Sequence, residues 1–233
     1  MAKAGPRPGT GTIGPRAHSA EVRAALVNAA VDALREVGFA RASAREIAGR
    51  AGCSQALVFY HFGSVNDLLL AALDEVSARR MQAYQGLLRD ARSAAALAES
   101  ARAIFEQDLD AGHVRVLVEM ITGAQAAPGL GEQVAERLRP WREMAEEVMA
   151  RTLGRSPVAR VLPPADAARA LLAGFLGLEL LASLDGDRDA ALGVIDRVRS
   201  LARLLDVLSG FGGLGGLAGL GGIRLPGQGR EVR

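Results

Sequence analysis

The sequence holds few residues that could form covalent cross-links or metal clusters. Its only cysteine is Cys53, so an intrachain disulfide is impossible. The three histidines, His18, His61 and His113, lie far apart and show no metal-ligand spacing. We therefore expect no metal and no cofactor, and a single unpaired cysteine suits the reducing cytoplasm.

Catalytic and membrane signals are missing as well. We find no Ser/His/Asp grouping, no phosphate-binding glycine loop and no dinucleotide fingerprint, so nothing argues for an enzyme. The first residues lack an apolar segment of signal-peptide length, and no unbroken run of about 18 apolar residues is present. We expect a soluble, cytoplasmic protein with no membrane partner.

Positive charge is concentrated at one end of the chain. Of the 28 basic residues, only Lys3 is a lysine. Residues 1–62 hold eight basic and four acidic side chains, whereas residues 63–208 hold 17 basic and 21 acidic ones. Because phosphate groups are anionic, the N-terminal segment is where we expect a nucleic acid to bind.

Aromatic residues are scarce but clustered. The chain has 6 Phe, 2 Tyr and 1 Trp, and Phe59, Tyr60 and Phe62 fall within four consecutive positions that also include His61. Consecutive residues of a helix point in successive directions, so these rings cannot all be buried. At least one of them must face solvent or a partner.

The same stretch reads as a helix-turn-helix over residues 43–62. Ser43 and Glu46 have the spacing of a capping box, which predicts the start of one helix. Gly52 supplies the positive φ that ends this helix, and Ser54 can cap a second one. Two short helices joined by a tight turn are the usual device for reading the major groove of DNA.

Helical periodicity continues through the rest of the chain, and we predict an all-α fold. After the helix-turn-helix and the helix that follows it, we expect helices near residues 82–91, 94–110, 112–126, 131–153, 164–184 and 188–208. Residues 1–18 and the Gly-rich tail 209–233 are expected to be disordered extensions, with a domain boundary near residue 80 between segments 19–80 and 81–208.

The last two predicted helices indicate a homodimer. Residues 164–184 are apolar on nearly every side, and residues 188–208 carry one apolar face. Together they suit half of a four-helix dimer interface, although an internal bundle of a monomer is the alternative. The predicted interface residues are Leu172, Phe175, Leu176, Leu180, Val194, Val198, Leu201 and Leu205.

The first 80 residues resemble the TetR family of bacterial transcriptional regulators. The resemblance rests on Gly38-Phe39, Glu46-Ile47-Ala48, Ala51-Gly52-Cys53-Ser54 and Phe59-Tyr60-His61-Phe62, in this order, and covers about residues 20–80. It implies an all-α homodimer with an N-terminal three-helix DNA-binding domain for a double-stranded DNA operator. It also implies a larger helical domain that binds a small-molecule effector and dimerises.

The resemblance also implies which residues contact DNA. Arg45 would reach a phosphate or a base, Gln55 a base edge, Leu57 a thymine methyl group, and Tyr60 and His61 phosphates. The full predicted set is Arg45, Ser54, Gln55, Ala56, Leu57, Phe59, Tyr60 and His61. The chain departs from the family pattern at Val65, where lysine is frequent, and at Ala56, where glycine or proline is frequent.

For the effector the sequence offers only scattered candidates. They are Phe105, His113, Met120, Trp141 and Glu179, each of which could equally be a core or interface residue. We expect a ligand-released homodimeric repressor. The alternatives are a transcriptional activator, or a DNA-binding protein whose C-terminal domain is a small-molecule carrier or an enzyme.

Overall fold

The regular elements of the structure are all helices. A computed structural model describes residues 15–154 and 157–212. Within them lie α1 (Pro15–Glu36), α2 (Ala44–Arg50), α3 (Gln55–Phe62), α4 (Val65–Arg89), α5 (Ala94–Ala111), α6 (His113–Ala126), α7 (Leu130–Arg137), α8 (Arg139–Leu153), α9 (Pro164–Asp185) and α10 (Arg188–Gly212), with short 3-10 turns at Phe39–Arg41 and Pro157–Arg160. The predicted all-α fold class is confirmed.

Several helix boundaries differ from the prediction. One helix, α4, covers the region where two were expected, because no glycine or proline interrupts the chain around residue 81. Conversely, the helix predicted over 131–153 is divided at Leu138. Pro140 lies in the first turn of α8, where its missing N–H is tolerated but would break a continuous helix.

Helix also extends into both predicted terminal extensions. The first helix begins at Pro15, inside the segment 1–18, and α10 continues to Gly212, inside the tail 209–233. The remaining residues of these two segments lie outside the described ranges.

The described chain forms two compact units. The first unit consists of the residues up to Gly86 together with 107–143, and the second of 87–106 together with the residues from Met144 onward. The first unit therefore contains the helix-turn-helix and also α6 and α7. A domain boundary near residue 80 stays a prediction, since compactness does not test whether a segment folds alone.

The helix-turn-helix is built on an apolar core in the first unit. The helices contact one another in chain order, α1 with α2 and α2 with α3. Leu26 and Leu34 of α1, Ile47 of α2, Val58 of α3 and Leu68 of α4 are all fully buried. Each such side chain contributes about 1.5–3 kcal/mol when it leaves water, and this burial holds the four helices in a fixed arrangement.

The second unit has a separate, alanine-rich core. Small side chains let its helices approach closely. The buried cluster contains Ala91, Leu97, Ala145, Val148, Met149, Ala167 and Ala168. At its edge the carboxylate of Asp206 accepts hydrogen bonds from the N–H groups of Ala94 and Ala95, at 3.0 and 2.8 Å, and so caps the start of α5.

The most apolar helix of the second unit is α9. It is long and apolar enough to cross a membrane by length and composition, with a mean hydropathy of 1.6. Arg169 and Glu179 interrupt its apolar residues, so the helix passes this test on its mean hydropathy and not on an unbroken apolar run. Of that apolar segment 17% is buried inside the chain, and a single helix of this kind is weak evidence of a membrane span.

Candidate functional site

The first helix of the motif begins as the capping pattern predicts. The hydroxyl of Ser43 accepts a hydrogen bond from the N–H of Glu46 at 3.2 Å. The reciprocal bond of a capping box is not formed, because the N–H of Ser43 donates to the carbonyl of Arg41 at 2.8 Å. The carboxylate of Glu46 instead pairs with Arg50 at 2.7 Å.

The second helix of the motif begins after Ser54, but not by side-chain capping. Ser54 has the extended backbone of an N-cap residue, yet its side chain makes no cap hydrogen bond, which corrects the prediction. Gly52 in the turn has φ of 68° and Gly63 after the helix has φ of 80°. Both values lie in the left-handed region that glycine adopts at little cost.

The outward face of α3 carries exposed aromatic side chains. Val58 is fully buried, whereas Tyr60 is 79% exposed and Phe59 is 51% exposed. His61 and Leu57 are half-buried. The other predicted contact residues are all exposed: Arg45, Ser54, Gln55 and Ala56. This confirms the expectation that the aromatic cluster cannot be buried as a whole, since two rings face outward.

Ring contacts order the C-terminal end of α3. The rings of Tyr60 and His61 meet edge to face, with centroids 5.0 Å apart. The guanidinium of Arg23, from α1, lies 4.9 Å from the centroid of the Phe62 ring. Such a cation–π contact brings a positive charge beside α3. Arg23 was not singled out from the sequence, because 39 positions separate it from its partner and no local pattern marks the pair.

Arg50 is engaged inside the domain. Its guanidinium pairs with Glu36 of α1 and with Glu46 of its own helix, each at 2.7 Å. Exposed ion pairs of this kind are individually weak, but here they connect two helices. Arg45, five residues earlier on α2, is exposed, and the family resemblance implies that its side chain contacts DNA.

A contact within the first unit joins the helix-turn-helix to α6. The backbone N–H of Phe39, just before α2, donates to the carboxylate of Glu119 at 2.8 Å. Gly38 has φ of 78°, and a Cβ there would lie 2.8 Å from that carboxylate. Gly123, one turn after Glu119, makes room for the Phe39 ring, which a Cβ would approach to 2.3 Å. We call these four residues the Phe39–Glu119 contact.

The candidate effector residues are divided between the two units. Phe105 is buried in the second unit, where its ring meets Phe175 edge to face at 5.3 Å. Glu179 is buried in the same unit. Met120 is fully buried on α6 of the first unit. Their role in ligand binding therefore stays a prediction.

His113 and Trp141 do belong to one arrangement, a buried polar cluster of the first unit. Asp108 is its centre, and the carboxylate accepts from Arg80 and Tyr84 and contacts His113 Nδ1 at 3.3 Å. The Arg80 guanidinium lies 5.4 Å from the centroid of the Trp141 ring. Arg80, Tyr84 and Asp108 were not identified from the sequence, where only the four-residue spacing of Arg80 and Tyr84 hints at a pair.

Burial and hydrogen bonding fix the protonation states in this cluster. Burial alone raises the pKa of Asp108, but the hydrogen bond from His113 and the charge of Arg80 outweigh it, so the pKa lies below its ordinary value. Burial raises the pKa of Tyr84 far above its ordinary value, against the opposing charge of Arg80. At neutral pH Asp108 is a carboxylate and Tyr84 is a phenol that donates.

A groove of about 450 Å³ opens beside Trp141 in the first unit. The side chains of α4, α7 and α8 line it: Asp74, Ser77, Ala78, Met81, Glu136, Arg137, Pro140 and Trp141. Arg137 and Asp74 form an ion pair at 2.8 Å on its wall. We refer to it as the Trp141 groove.

The second unit exposes apolar side chains along α9 and α10. Of the predicted interface residues, Leu180, Val194, Val198 and Leu201 are exposed. The side chain of Leu205 is outside the described set, Leu176 is half-buried, and Leu172 and Phe175 pack inside their own unit. The sequence prediction omitted four exposed residues of these helices: Leu181, Leu184, Leu204 and Val207.

The sequence relatives of the chain are transcriptional regulators of the HTH type. Residues 26–72 match the family described as bacterial regulatory proteins, tetR family. An uncharacterized HTH-type transcriptional regulator of Mycobacterium tuberculosis is 33% identical over 113 residues, which cover 48% of this chain and 57% of that protein. An HTH-type transcriptional repressor of the same organism is 42% identical over 59 residues, 25% of this chain and 31% of that one. The chain thus matches about half the length of the first of these relatives, and less of the second.

Solved structures share the fold over a longer range. A TetR-family transcriptional regulator from Rhodococcus sp. has a TM-score of 0.65 at 22% identity, covering 78% of this chain and 98% of that one. FadR from Bacillus subtilis, solved in complex with stearoyl-CoA, has a TM-score of 0.63 at 14% identity, covering 77% and 96%. Residues 26–72 thus combine the geometry of a helix-turn-helix with a sequence match to the bacterial regulatory proteins of the tetR family.

Proposed function

We propose that the protein is a cytoplasmic, homodimeric repressor that binds a double-stranded DNA operator through α3 and releases it when a small molecule binds. The observation that carries this proposal is the outward face of α3. Two aromatic rings, Phe59 and Tyr60, stand in solvent on a helix whose inner side is anchored by the fully buried Val58. Exposed aromatic surface on a rigid element is typical of a recognition surface.

The groups around this face suit a DNA groove. Arg45, exposed on α2, and the Arg23 guanidinium beside Phe62 supply positive charge, and the hydroxyl of Tyr60 can donate to a phosphate. Gln55, at the start of α3, can form paired hydrogen bonds with an adenine edge, and Leu57 can contact a thymine methyl group. Arg45, Arg23 and Tyr60 would position the protein on the phosphates. Gln55 and Leu57 would contact the bases and so provide sequence specificity.

The exposed apolar face of α9 and α10 supports the homodimer. Leu184 is 75% exposed and Leu201 is 57% exposed, and their apolar neighbours continue along both helices. A stable interface removes roughly 1,600 Å² from water, and apolar patches of this kind mark such interfaces. A dimer would present two copies of α3 to half-sites about 34 Å apart, one turn of DNA.

The Phe39–Glu119 contact supports coupling between effector and DNA. It ties α6 to the backbone just before Ser43, the residue that caps α2. A movement of α6 would therefore displace the start of the helix-turn-helix. An effector that binds one position of α6 more tightly would favour a spacing of the two α3 helices that no longer fits the operator.

The test is a fluorescence anisotropy titration of the protein against labelled DNA from the region flanking its own gene, with unlabelled random DNA as competitor. Tyr60→Ala and Arg45→Ala should each weaken specific binding by about tenfold or more, since good contacts are worth about 1–3 kcal/mol. Arg160→Ala, a charge-matched change at an exposed residue of the second unit, should leave binding intact. Absence of specific binding at low salt would contradict the proposal.

A further inference from the structure

We propose that the Trp141 groove is the effector site, and that its ligand is a flat, neutral aromatic molecule carrying a hydroxyl or amino group. The role of this ligand as an effector rests on the proposed function, whereas its binding in the groove does not. The size suits such a molecule, because small-molecule sites typically occupy about 300–1,000 Å³ and this groove has about 450 Å³.

Four of the eight residues that line the groove are apolar, and one of them is adaptable. Ala78 and Met81 of α4 and Pro140 and Trp141 of α8 present hydrocarbon, sulfur and ring surface to it. Methionine follows the outline of a ligand because its thioether side chain is flexible and polarizable. A flat ring system can therefore lie against Trp141 with Met81 along its edge.

The buried polar cluster holds the Trp141 ring in one orientation. Arg80 lies over the ring, and its guanidinium is fixed in turn by the buried carboxylate of Asp108. The ring of Tyr84 meets Trp141 edge to face, with centroids 5.5 Å apart. A preorganised ring loses little conformational freedom when a ligand stacks on it, which favours binding.

The charge pattern around Trp141 selects the chemistry of the ligand. Arg80 is buried and is not among the residues that line the groove, so its positive charge acts on the Trp141 ring from inside the protein and draws π-electron density towards it. The side that faces the groove then stacks better on a neutral, electron-rich ring than on a second cation. A hydroxyl or amino substituent makes a ring electron-rich.

Two carboxylates in the lining of the groove can accept hydrogen bonds. Asp74 and Glu136 each place a carboxylate there, and both are more than half exposed. They pair with Arg137 and Arg139, but surface pairs are weak and rearrange at little cost. A ligand O–H or N–H can therefore donate to either carboxylate, whereas a ligand carboxylate would meet two carboxylates against the single guanidinium of Arg137 in the lining.

The position of the groove also suits an effector. One wall is α4, which leads directly from the end of α3. The other wall includes α7, which contacts α6, and α6 holds Phe39 through Glu119. A ligand wedged between these walls acts on both connections to the helix-turn-helix.

The experiment uses the full chain and three probes of one shape: 2-naphthol, 2-methoxynaphthalene and 2-naphthoate. Trp141 is the only tryptophan, so its emission reports on the groove directly, and calorimetry gives the affinities. We expect 2-naphthol to bind about tenfold tighter than the methoxy compound, which cannot donate, and tighter still than the anion. Equal affinity for all three probes, or no binding, would overturn the assignment.

Two variants locate the binding. Ala78→Phe fills the groove and should abolish naphthol binding, whereas Ala83→Phe, at an exposed position of the same helix, should not. The double variant Asp74→Ala/Glu136→Ala changes only exposed side chains, and should weaken 2-naphthol and strengthen 2-naphthoate. Unchanged affinities in both the filled and the double variant would overturn the site.

DNA release separates this inference from the proposed function. If 2-naphthol binds the groove and releases operator DNA, both are supported. If stearoyl-CoA releases DNA while the Trp141 emission stays constant and 2-naphthol has no effect, the regulator stands and the groove assignment fails. If 2-naphthol binds with the expected preference but no specific DNA binding is found, the proposed function fails and the groove remains a ligand site.

Discussion

The carboxylate of Glu119 accepts a hydrogen bond from the backbone N–H of Phe39 at 2.8 Å, although 80 residues separate the two in the sequence. The bond fixes a main-chain position rather than a side chain. The 3-10 turn that begins at Phe39 ends at Arg41, and the carbonyl of Arg41 then accepts from Ser43, which caps α2. A single carboxylate on α6 is thus connected, through the Phe39–Arg41 turn, to Ser43, the first residue of the helix-turn-helix.

Removing this carboxylate should impair specific DNA binding. We expect Glu119→Ala to weaken operator affinity by about tenfold, since a hydrogen bond to a charged group is worth about 1.5–3 kcal/mol. Random-sequence DNA should bind almost as before, because that binding depends on charge rather than on placement of α3. Glu119→Gln keeps an acceptor oxygen and should retain most of the operator affinity.

Hydrogen exchange measures the same contact directly. The Phe39 amide should exchange faster in Glu119→Ala than in Glu119→Gln, while the amides of α3 keep their protection. Equal losses for operator and random DNA in Glu119→Ala would instead indicate general destabilisation, and would contradict a positioning role.

Gly123 should not tolerate a side chain. A Cβ there would come within 2.3 Å of the Phe39 ring, so Gly123→Ala should lower the free energy of unfolding by about 1–3 kcal/mol despite the better helix propensity of alanine. Gly131→Ala is the matched control, because its Cβ would lie 3.9 Å from the nearest atom. Urea denaturation gives both values, and equal stability of the two variants would argue against close packing of Phe39 on α6.

The buried polar cluster predicts how stability depends on pH. The pKa of Asp108 is lowered on folding, so its stabilisation is complete above the ordinary value of 3.8 and is lost as pH falls below it. The pKa of Tyr84 is raised, so its stabilisation is complete below the ordinary value of 10.0 and is lost as pH rises above it. We expect a stability plateau between these limits in urea denaturation.

Variants separate the two ends of this plateau. Asp108→Ala should cost about 3–5 kcal/mol at neutral pH because it leaves Arg80 buried without that carboxylate, and the difference from wild type should shrink in acid. Tyr60→Phe leaves Tyr84 as the only tyrosine. Its ionisation, followed by absorbance at 295 nm, should then coincide with alkaline unfolding; ionisation well before unfolding would show that Tyr84 is accessible to water.

The exposed face of α9 and α10 predicts the assembly state. Leu184→Glu should convert a dimer into a monomer in sedimentation at micromolar concentration, because a charge buried in an apolar interface has no partner. Val161→Glu is the control, since Val161 is 88% exposed but lies outside both helices. A wild-type protein that sediments as a monomer would contradict the proposed dimer.

Local sequence patterns predicted the helix-turn-helix well. The three-residue spacing of Ser43 and Glu46 specified a cap, because the atoms involved lie within one turn of chain. The outward direction of Tyr60 followed from helix geometry alone. The break at Leu138 could have been found in the same way, since Pro140 disfavours a continuous helix through that point.

Contacts between distant segments could not be predicted in this way. The pairing of Arg80 with Asp108 depends on how α4 packs against the end of α5, and no periodicity encodes it. For the same reason the contact of Phe175 with Phe105 in its own unit was not predicted, while the place of Phe175 at a dimer interface stays a prediction. An apolar helix such as α9 shows which faces are apolar, not which partner each face contacts.

Cys53 lies in the turn between α2 and α3 and is half-buried, and it is the only thiol of the chain. In the proposed dimer each reading motif would therefore carry one thiol, and the pair would be the only two in the molecule. Spin labels attached there would give a single distance in pulsed electron paramagnetic resonance. That distance would report the separation of the two α3 helices with and without effector. The measurement would use the native cysteine, so no cysteine needs to be introduced.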